Sequence, residues 1–350
     1  MVQVSDLDDC EKMDRADRLL NRIGQSFGRQ TVDDMADAII ALTDVRLEAC
    51  PIEAVYKPQG APCEAGLIRF IMENDYQSAG GDVARLMKYR NSDETRKIAC
   101  LPFDQALKRK IVIRKVPSDP NAARIYLQGA PEEVIGLCKF KYNVKNNRSP
   151  LPQSRQDKHS LLDQTVSGRM AEQGLKVFSI AYKDTTIDEL QKIISTHNEE
   201  SPEFRDTIER DLVYLCTFGF DDPLRADIPE AVQEIQGRSE VAASPSKGES
   251  EKKRGVIIRM VSGDHLETAR YVADQAGILG ANPSADAIMS GAEFREKIGA
   301  HKVVVARETQ EKSVHFTNID QFNKVKKRLR VLARASAEDK LVLIAGIKST

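Results

Sequence analysis

The stretch 256–279, VIIRMVSGDHLETARYVADQAGIL, runs apolar, breaks abruptly into Ser-Gly-Asp, and resumes as an amphipathic segment. Residues 256–261 read as a buried parallel strand. Leu266, Ala269, Ala273 and Ala276 then recur at helical spacing until Gly277 supplies a stop. Ser262, Gly263 and Asp264 therefore fall in a strand-to-helix turn. Free backbone N–H groups and the positive end of the helix dipole favour an anion there, and Gly263 lets backbone come close to it. An ordinary helix capped by Asp264 with Glu267 three residues on gives the same pattern.

Composition sets the outer limits. A chain of 350 residues with 41% hydrophobic residues is long enough for two domains with real cores. Its 52 basic and 53 acidic residues leave a net charge of −1, so nothing in the charge balance points to nucleic acid. Six cysteines (Cys10, Cys50, Cys63, Cys100, Cys138 and Cys216) are scattered without a Cys-x-x-Cys, which fits a reducing compartment and argues against a metal site. The longest apolar runs, 212–220 and 341–347, are far short of the ~18 residues a membrane span needs and read as core elements.

Two blocks follow from the patterning. Residues 1–210 mix helices with hairpin-like strands, whereas 211–350 alternate strand and helix in the manner of a parallel sheet covered on both faces. Residues 143–164 and 239–254 are rich in Ser, Pro, Lys and Asn, lack periodicity, and read as solvated loop insertions. The basic run Lys324, Lys326, Lys327, Arg328 and Arg330 reads as a solvated helix face, with an acidic partner as the alternative.

Four further motifs occur in fixed order around the opening stretch: Pro-Phe-Asp-Gln-Ala-Leu-Lys-Arg-Lys at 102–110, Gln-Gly-Ala-Pro-Glu at 128–132, Phe-Asp-Asp-Pro-Leu-Arg at 220–225, and Val-Leu-Ala-Arg-Ala-Ser-Ala-Glu-Asp-Lys at 331–340. Together they resemble the P-type ATPases, and within them the calcium pumps of plasma-membrane type, over about 55–347. The resemblance implies an α+β nucleotide-binding domain followed by an incomplete α/β phosphorylation domain, haloacid-dehalogenase-like and Rossmann-like.

For the first domain the resemblance implies a pocket in which Phe103 faces the base, Glu64 contacts it, and Lys108, Gly129 and Lys176 line the phosphates. Two have a plainer reading, Phe103 as a core aromatic and Glu64 as a surface carboxylate, while Gly129, in a tight turn before Pro131 at the first helical position, lets backbone approach a ligand. Lys176 stands where the family carries arginine, and so loses bidentate geometry. Gln128 replaces the family's lysine, which removes a charge from the pocket and predicts weak ATP binding. In the second domain Asp222 and Arg225 match the Asp-Pro-x-Arg element and imply a hinge and nucleotide contact. Ser262, Gly263, Asp264, Arg334 and Lys340 match the phosphoryl-handling positions, with Ser262 for the family's threonine. Lys340 falls in the first turn of a helix capped by Ser336, where a cation opposes the dipole unless an anion offsets it.

The family's Asp-Lys-Thr-Gly-Thr nucleophile and its Gly-Asp-Gly-x-Asn-Asp element do not occur in these 350 residues. The expectation is therefore the cytosol-facing ATP-binding portion of a membrane pump, inactive alone, with no transmembrane segment of its own. In the whole pump, ATP and Mg2+ would serve calcium transport through an aspartyl phosphate, alongside membrane helices, an actuator domain and the missing phosphorylation-domain strands. A free-standing nucleotide-binding or interaction module is the alternative. A haloacid-dehalogenase-like phosphatase is a weaker one, because proline follows Asp222 where that superfamily places its Asp-x-Asp nucleophile.

Overall fold

The computed structural model describes residues 29–50, 55–73, 90, 92, 95–116, 119–142, 148–165, 167–196, 202–237, 255–280, 282–305 and 312–349. The chain divides into two compact units: one extends to Ser167 and takes in Val177–Phe220, and the other comprises Gly168–Lys176 and the chain from Asp221 on.

The first unit is built on a mixed seven-stranded sheet. Its strands are β3 (Lys97–Asp104), β4 (Arg109–Val116), β5 (Asp119–Gly129), β6 (Cys138–Tyr142), β7 (Arg148–Pro150), β8 (Lys176–Thr186) and β9 (Leu212–Phe220), in the order β3-β4-β5-β8-β9-β6-β7. β6 runs parallel to β9, whereas β3, β4, β5 and β8 pair antiparallel in sequence. Two cores lie on its two faces, as strand alternation requires. Val112, Tyr126, Ile180 and Tyr182 pack with helices α1 (Arg29–Leu42) and α2 (Pro62–Glu73). Ile111, Ile113, Ile125, Leu127 and Ala181 pack on the other face with helices α3 (Pro131–Leu137), α4 (Arg155–Thr165), α6 (Ile187–Thr196) and α7 (Pro202–Ile208). A hairpin of β1 (Arg46–Cys50) and β2 (Val55–Gln59) completes the unit.

A polar network binds α1 to the sheet. Asp34, 3% exposed, accepts from Arg124 Nη1 at 2.7 Å and from the Tyr142 hydroxyl at 2.5 Å, while Arg124 Nε reaches Asp184 at 2.6 Å. The Arg124 guanidinium lies 4.4 Å from the centre of the Tyr182 ring. Burial and the hydrogen bond to Asp34 together push the Tyr142 hydroxyl well above its ordinary pKa.

Two sequence expectations change in this unit. The run 212–220 is a strand, but it joins the first unit's sheet, so that unit extends through Phe220 and does not end at 210. Residues on both faces of β9 are buried, Leu212 and Phe218 among them, as suits a strand lying between β8 and β6. Of the loop expected at 143–164, residues 143–147 lie outside the described residues and the rest is β7 and the helix α4. That helix has few apolar residues, and it is anchored by Leu162 in the core and by the Lys158 ammonium, which donates to Cys138 O at 2.5 Å and to Gly136 O at 3.3 Å. A cation on the last carbonyls of α3 complements the negative end of that helix. The insertion expected at 239–254 lies outside the described residues.

The second unit has a parallel three-stranded sheet in the order β10-β14-β11, with β10 (Met260–Val261), β11 (Ile288–Ser290) and β14 (Val331–Ala333). Leu332 packs on one face with Phe294, Phe322, Val342 and Leu343, from α10 (Gly291–Ile298), α11 (Ile319–Arg328) and α12 (Ala337–Ser349). Val331 and Ala333 pack on the other with Val232, Ala269 and Ala273, from α8 (Ile228–Ile235) and α9 (Leu266–Gln275). The short helix α5 (Ser167–Glu172) precedes β8, and the hairpin of β12 (His301–Val305) and β13 (Lys312–Phe316) lies beside this sheet's sequence region.

The strand expected over 256–261 is only two residues long. Val256 and Ile257 are 63% and 50% exposed, and ladder pairing begins at Met260 opposite Val331. In the basic run Lys324, Lys327 and Arg328 are exposed on α11, as a solvated helix face requires, while Arg330 Nη1 donates to the carbonyls of Lys327, Arg328 and Leu329 and Arg328 pairs with Asp286 at 2.8 Å. Arg330 thus caps the C-terminus of α11, where the dipole favours a cation.

Candidate functional site

The expected site residues fall into two groups, one in each unit. In the first, β3 and β4 are joined by a tight turn in which the Leu107 and Ala106 N–H groups bond Asp104 and hold its carboxyl below the ordinary value. Lys108 closes the turn with φ +53°, a left-handed conformation that costs a non-glycine residue on the order of 1 kcal/mol. Phe103, just before the turn, is 58% exposed, which sets aside its reading as a core aromatic. Its ring is available on the surface.

Gly129 ends β5 directly opposite Arg109. A Cβ there would stand 2.5 Å from Lys108 O and 2.6 Å from Arg109 Cβ. The glycine is therefore required by contact with the chain's own turn, before any ligand is considered. Ala130 N donates to Lys108 O at 3.0 Å and locks the same junction. Below it Arg109 Nε reaches Glu209 Oε2 at 2.9 Å, and Glu209 is 1% exposed.

Gln128 and Lys110 face each other in the β4–β5 register, so their side chains share one face of the sheet. Lys110 forms an ion pair with Glu64 in the first turn of α2, and the second Glu64 oxygen accepts from Asp44 N at 3.1 Å. Gln128 Oε1 is buried with no hydrogen-bond donor among the described residues. Burial would raise the Asp44 carboxyl, but the Lys97 hydrogen bond and charge, with Lys110 and Arg90 behind them, outweigh it and hold that carboxyl below its ordinary value. Lys110 was not among the residues expected from sequence. Alternation along Arg109–Val116, with Ile111 and Ile113 on the opposite face, was the signal that could have found it.

In the second unit Lys176 pairs with Asp222; both are substantially exposed, at 41% and 64%, so the pair contributes at most about 1 kcal/mol. Lys176 was expected with the first block, but residues 168–176 group with the second unit, where Thr268 Oγ1 donates to Leu175 O at 2.8 Å. Arg225 is engaged locally, with Nε 3.4 Å from Asp227.

Ser262, Gly263, Asp264 and Arg334 do come together. The Ser262 hydroxyl donates to Asp264 Oδ2 at 2.5 Å and accepts from Asp264 N at 3.1 Å. Arg334 N donates to Asp264 O, Ala335 N to Ser262 O, and Arg334 Nη1 to Gly263 O, each at 3.0 Å. The two loops are thus zipped backbone to backbone. The alternative reading of Asp264 as an ordinary helix cap does not hold: its carboxylate bonds Ser262, and His265 is the N-cap, accepting from Glu267 N at 3.4 Å. Gly277 ends α9 with φ +73°, as expected. A Cβ on Gly263 would meet nothing within 4 Å, so the chain's own packing does not demand glycine at that position.

Lys340 lies one turn into α12. Ser336 and Asp339 cap that helix reciprocally: Asp339 accepts from Ser336 N and Oγ at 2.8 Å, and Ser336 Oγ accepts from Asp339 N at 3.1 Å. Asp339, 1% exposed, also takes Arg295 Nη1 at 2.6 Å. Lys340 itself is exposed. Among the described residues no three His, Cys, Asp or Glu side chains converge to hold a metal ion, so none here is assigned to one. Among them, too, no helix is long and apolar enough to cross a membrane.

The sequence matches the family model of the P-type ATPase cytoplasmic domain N over residues 31–227. Plasma membrane calcium-transporting ATPase 2 of Oreochromis mossambicus is 27% identical over 294 residues, covering 83% of this chain and 22% of that protein. Plasma membrane calcium-transporting ATPase 4 of Homo sapiens is 28% identical over 291 residues, covering 82% and 19%. Plasma membrane calcium-transporting ATPase 1 of Mus musculus is 26% identical over 293 residues, covering 82% and 20%. The chain spans about a fifth of the length of the curated relatives it matches.

Proposed function

The chain belongs to the P-type ATPase family, and from that membership we propose that it is the ATP-binding, cytosol-facing portion of a calcium-transporting pump of plasma-membrane type. The observation that carries the reading is the family-model match, which spans the first unit's whole sheet with Glu64, Phe103, Lys108, Gln128 and Gly129 upon it. The complete pump couples ATP hydrolysis, by way of an aspartyl phosphate, to calcium transport; Mg2+ belongs to that complete enzyme. Its membrane helices, actuator domain and remaining phosphorylation-domain strands lie outside these 350 residues.

Within this portion the exposed Phe103 ring stacks on the base, and Lys108 meets the phosphates from the turn that follows. The second unit is the haloacid-dehalogenase-like phosphorylation domain in part. There the Ser262 hydroxyl, whose one hydrogen goes to Asp264 Oδ2, turns that hydrogen to a phosphoryl oxygen when one is bound. Arg334 and Lys340 supply positive charge there, and Lys176, Asp222 and Arg225 are the second unit's own nucleotide-contact candidates.

Gln128 leaves the first group one cation short. Replacing it by lysine is expected to tighten ATP binding between about 5- and 150-fold, the range that a charge-assisted hydrogen bond spans. Phe103→Ala is expected to weaken it. Isothermal calorimetry reads both, and unchanged affinity in Phe103→Ala would remove the stacking role. Because no Asp-Lys-Thr-Gly-Thr occurs in the chain, incubation with γ-labelled ATP is expected to leave no acid-stable label on it. A labelled acylphosphate on this chain would contradict that.

A further inference from the structure

We propose that Lys110 is the phosphate-selecting cation of the first unit's nucleotide face, held by Glu64 until an anion takes it over. The assignment rests on the nucleotide reading above and identifies the residue that compensates for Gln128. Directly opposed residues of an antiparallel pair place their Cβ atoms roughly 5 Å apart on the same face. The register therefore brings the Lys110 side chain to the position from which a lysine at 128 would act.

Two observations point to a ligand. The Lys110 and Glu64 side chains are 15% and 20% exposed, so the pair is sheltered enough to matter and open enough to exchange partners. Beside them Gln128 Oε1 is a buried acceptor without a donor, an uncommon and costly state for a polar atom. A bound molecule with an N–H for Gln128 and an anionic oxygen for Lys110 satisfies both. A nucleotide carries both kinds of group. Glu64 has a second partner in Asp44 N, so it keeps one hydrogen bond when the ammonium turns to a phosphate. An ammonium carries three donors, which suits this exchange between a carboxylate and a phosphate oxygen.

The test compares ATP with AMP, using the 350-residue chain, because a phosphate-directed charge changes their ratio and a merely structural one does not. Lys110→Gln is expected to reduce the preference for ATP over AMP roughly tenfold. Lys110→Arg keeps the charge and is expected to retain most of that preference, and it controls for folding. Glu64→Gln frees the ammonium and is expected to raise the preference. The double variant Lys110→Gln with Gln128→Lys moves the cation across the strand pair and is expected to restore ATP binding. If Lys110→Gln weakens ATP and AMP equally, or leaves both unchanged while the unsubstituted chain binds ATP, this assignment falls and the nucleotide reading stands. If neither the unsubstituted chain nor any variant binds ATP saturably, both fall.

Discussion

Glu209→Ala is expected to destabilise the first unit by about 3–5 kcal/mol, the usual cost of removing one partner from a buried ion pair. Glu209 is 1% exposed and meets two cations, Arg109 with Nε at 2.9 Å and Arg205 with Nη1 at 3.5 Å, whose side chains are only 11% and 16% exposed. Without the acid, the sheltered Arg205 guanidinium loses its ion-pair partner and Arg109 keeps only Glu133, 3.9 Å away. Against a total stability of about 5–15 kcal/mol for a domain, such a loss is a large fraction. Tyr126, Tyr142, Tyr182 and Tyr214 all lie in the first unit and the chain has no tryptophan, so urea unfolding followed by tyrosine emission reports mainly on this unit. A midpoint unchanged in Glu209→Ala would mean that the pair is dispensable. Function should follow stability here, because Arg109 is the residue against which Gly129 closes.

Asp339→Ala is the counterpart in the second unit, with an expected cost of about 2–4 kcal/mol. Loss of a reciprocal cap contributes about 0.5–2 kcal/mol, and loss of the hydrogen bonds to a buried carboxylate contributes the rest. Asp339 takes three donors, from Ser336 N, Ser336 Oγ and Arg295 Nη1. Arg295 is 48% exposed, so water solvates it when the acid is gone, which keeps the expected cost below that of Glu209→Ala. Ser336→Ala removes only the hydroxyl and is expected to cost about 1 kcal/mol. Thermal unfolding followed by far-UV circular dichroism ranks the two. Equal effects would place the stabilisation in the hydroxyl and not in the carboxylate. Because Lys340 follows Asp339 directly, fraying of this turn also displaces the cation assigned to the phosphoryl group.

Features written in local spacing were legible in the sequence. Pro131 starts a helix, 266–275 is helical with Gly277 behind it, and 212–220 is a strand, each set by residues within one or two turns of one another. Features set by distant partners were not. Residues 168–176 belong with the second unit because of contacts such as Thr268 with Leu175, 93 positions apart, which no local pattern encodes. The helix over Arg155–Thr165 was hidden because it is held by two adjacent leucines, Leu161 and Leu162, and by Lys158 rather than by an apolar stripe. The cap of α9 was misplaced by one residue because Asp264 spends its carboxylate on Ser262.

In the candidate site the residue types were legible but their partners were not. Glu64 is visible as a carboxylate near a helix start, yet its pairing with Lys110 depends on where α2 crosses the β4–β5 face. Gln128 was visible as a lost charge. That Lys110 lies opposite to it became visible only with the strand register.

The nucleotide site proposed for the first unit's sheet is weakened, and not abolished, by Gln128. Calorimetric titration of the 350-residue chain with ATP tests it most directly. The expected result is saturable one-to-one binding with Kd on the order of 0.1–1 mM; heats no greater than dilution up to several times that concentration would contradict it.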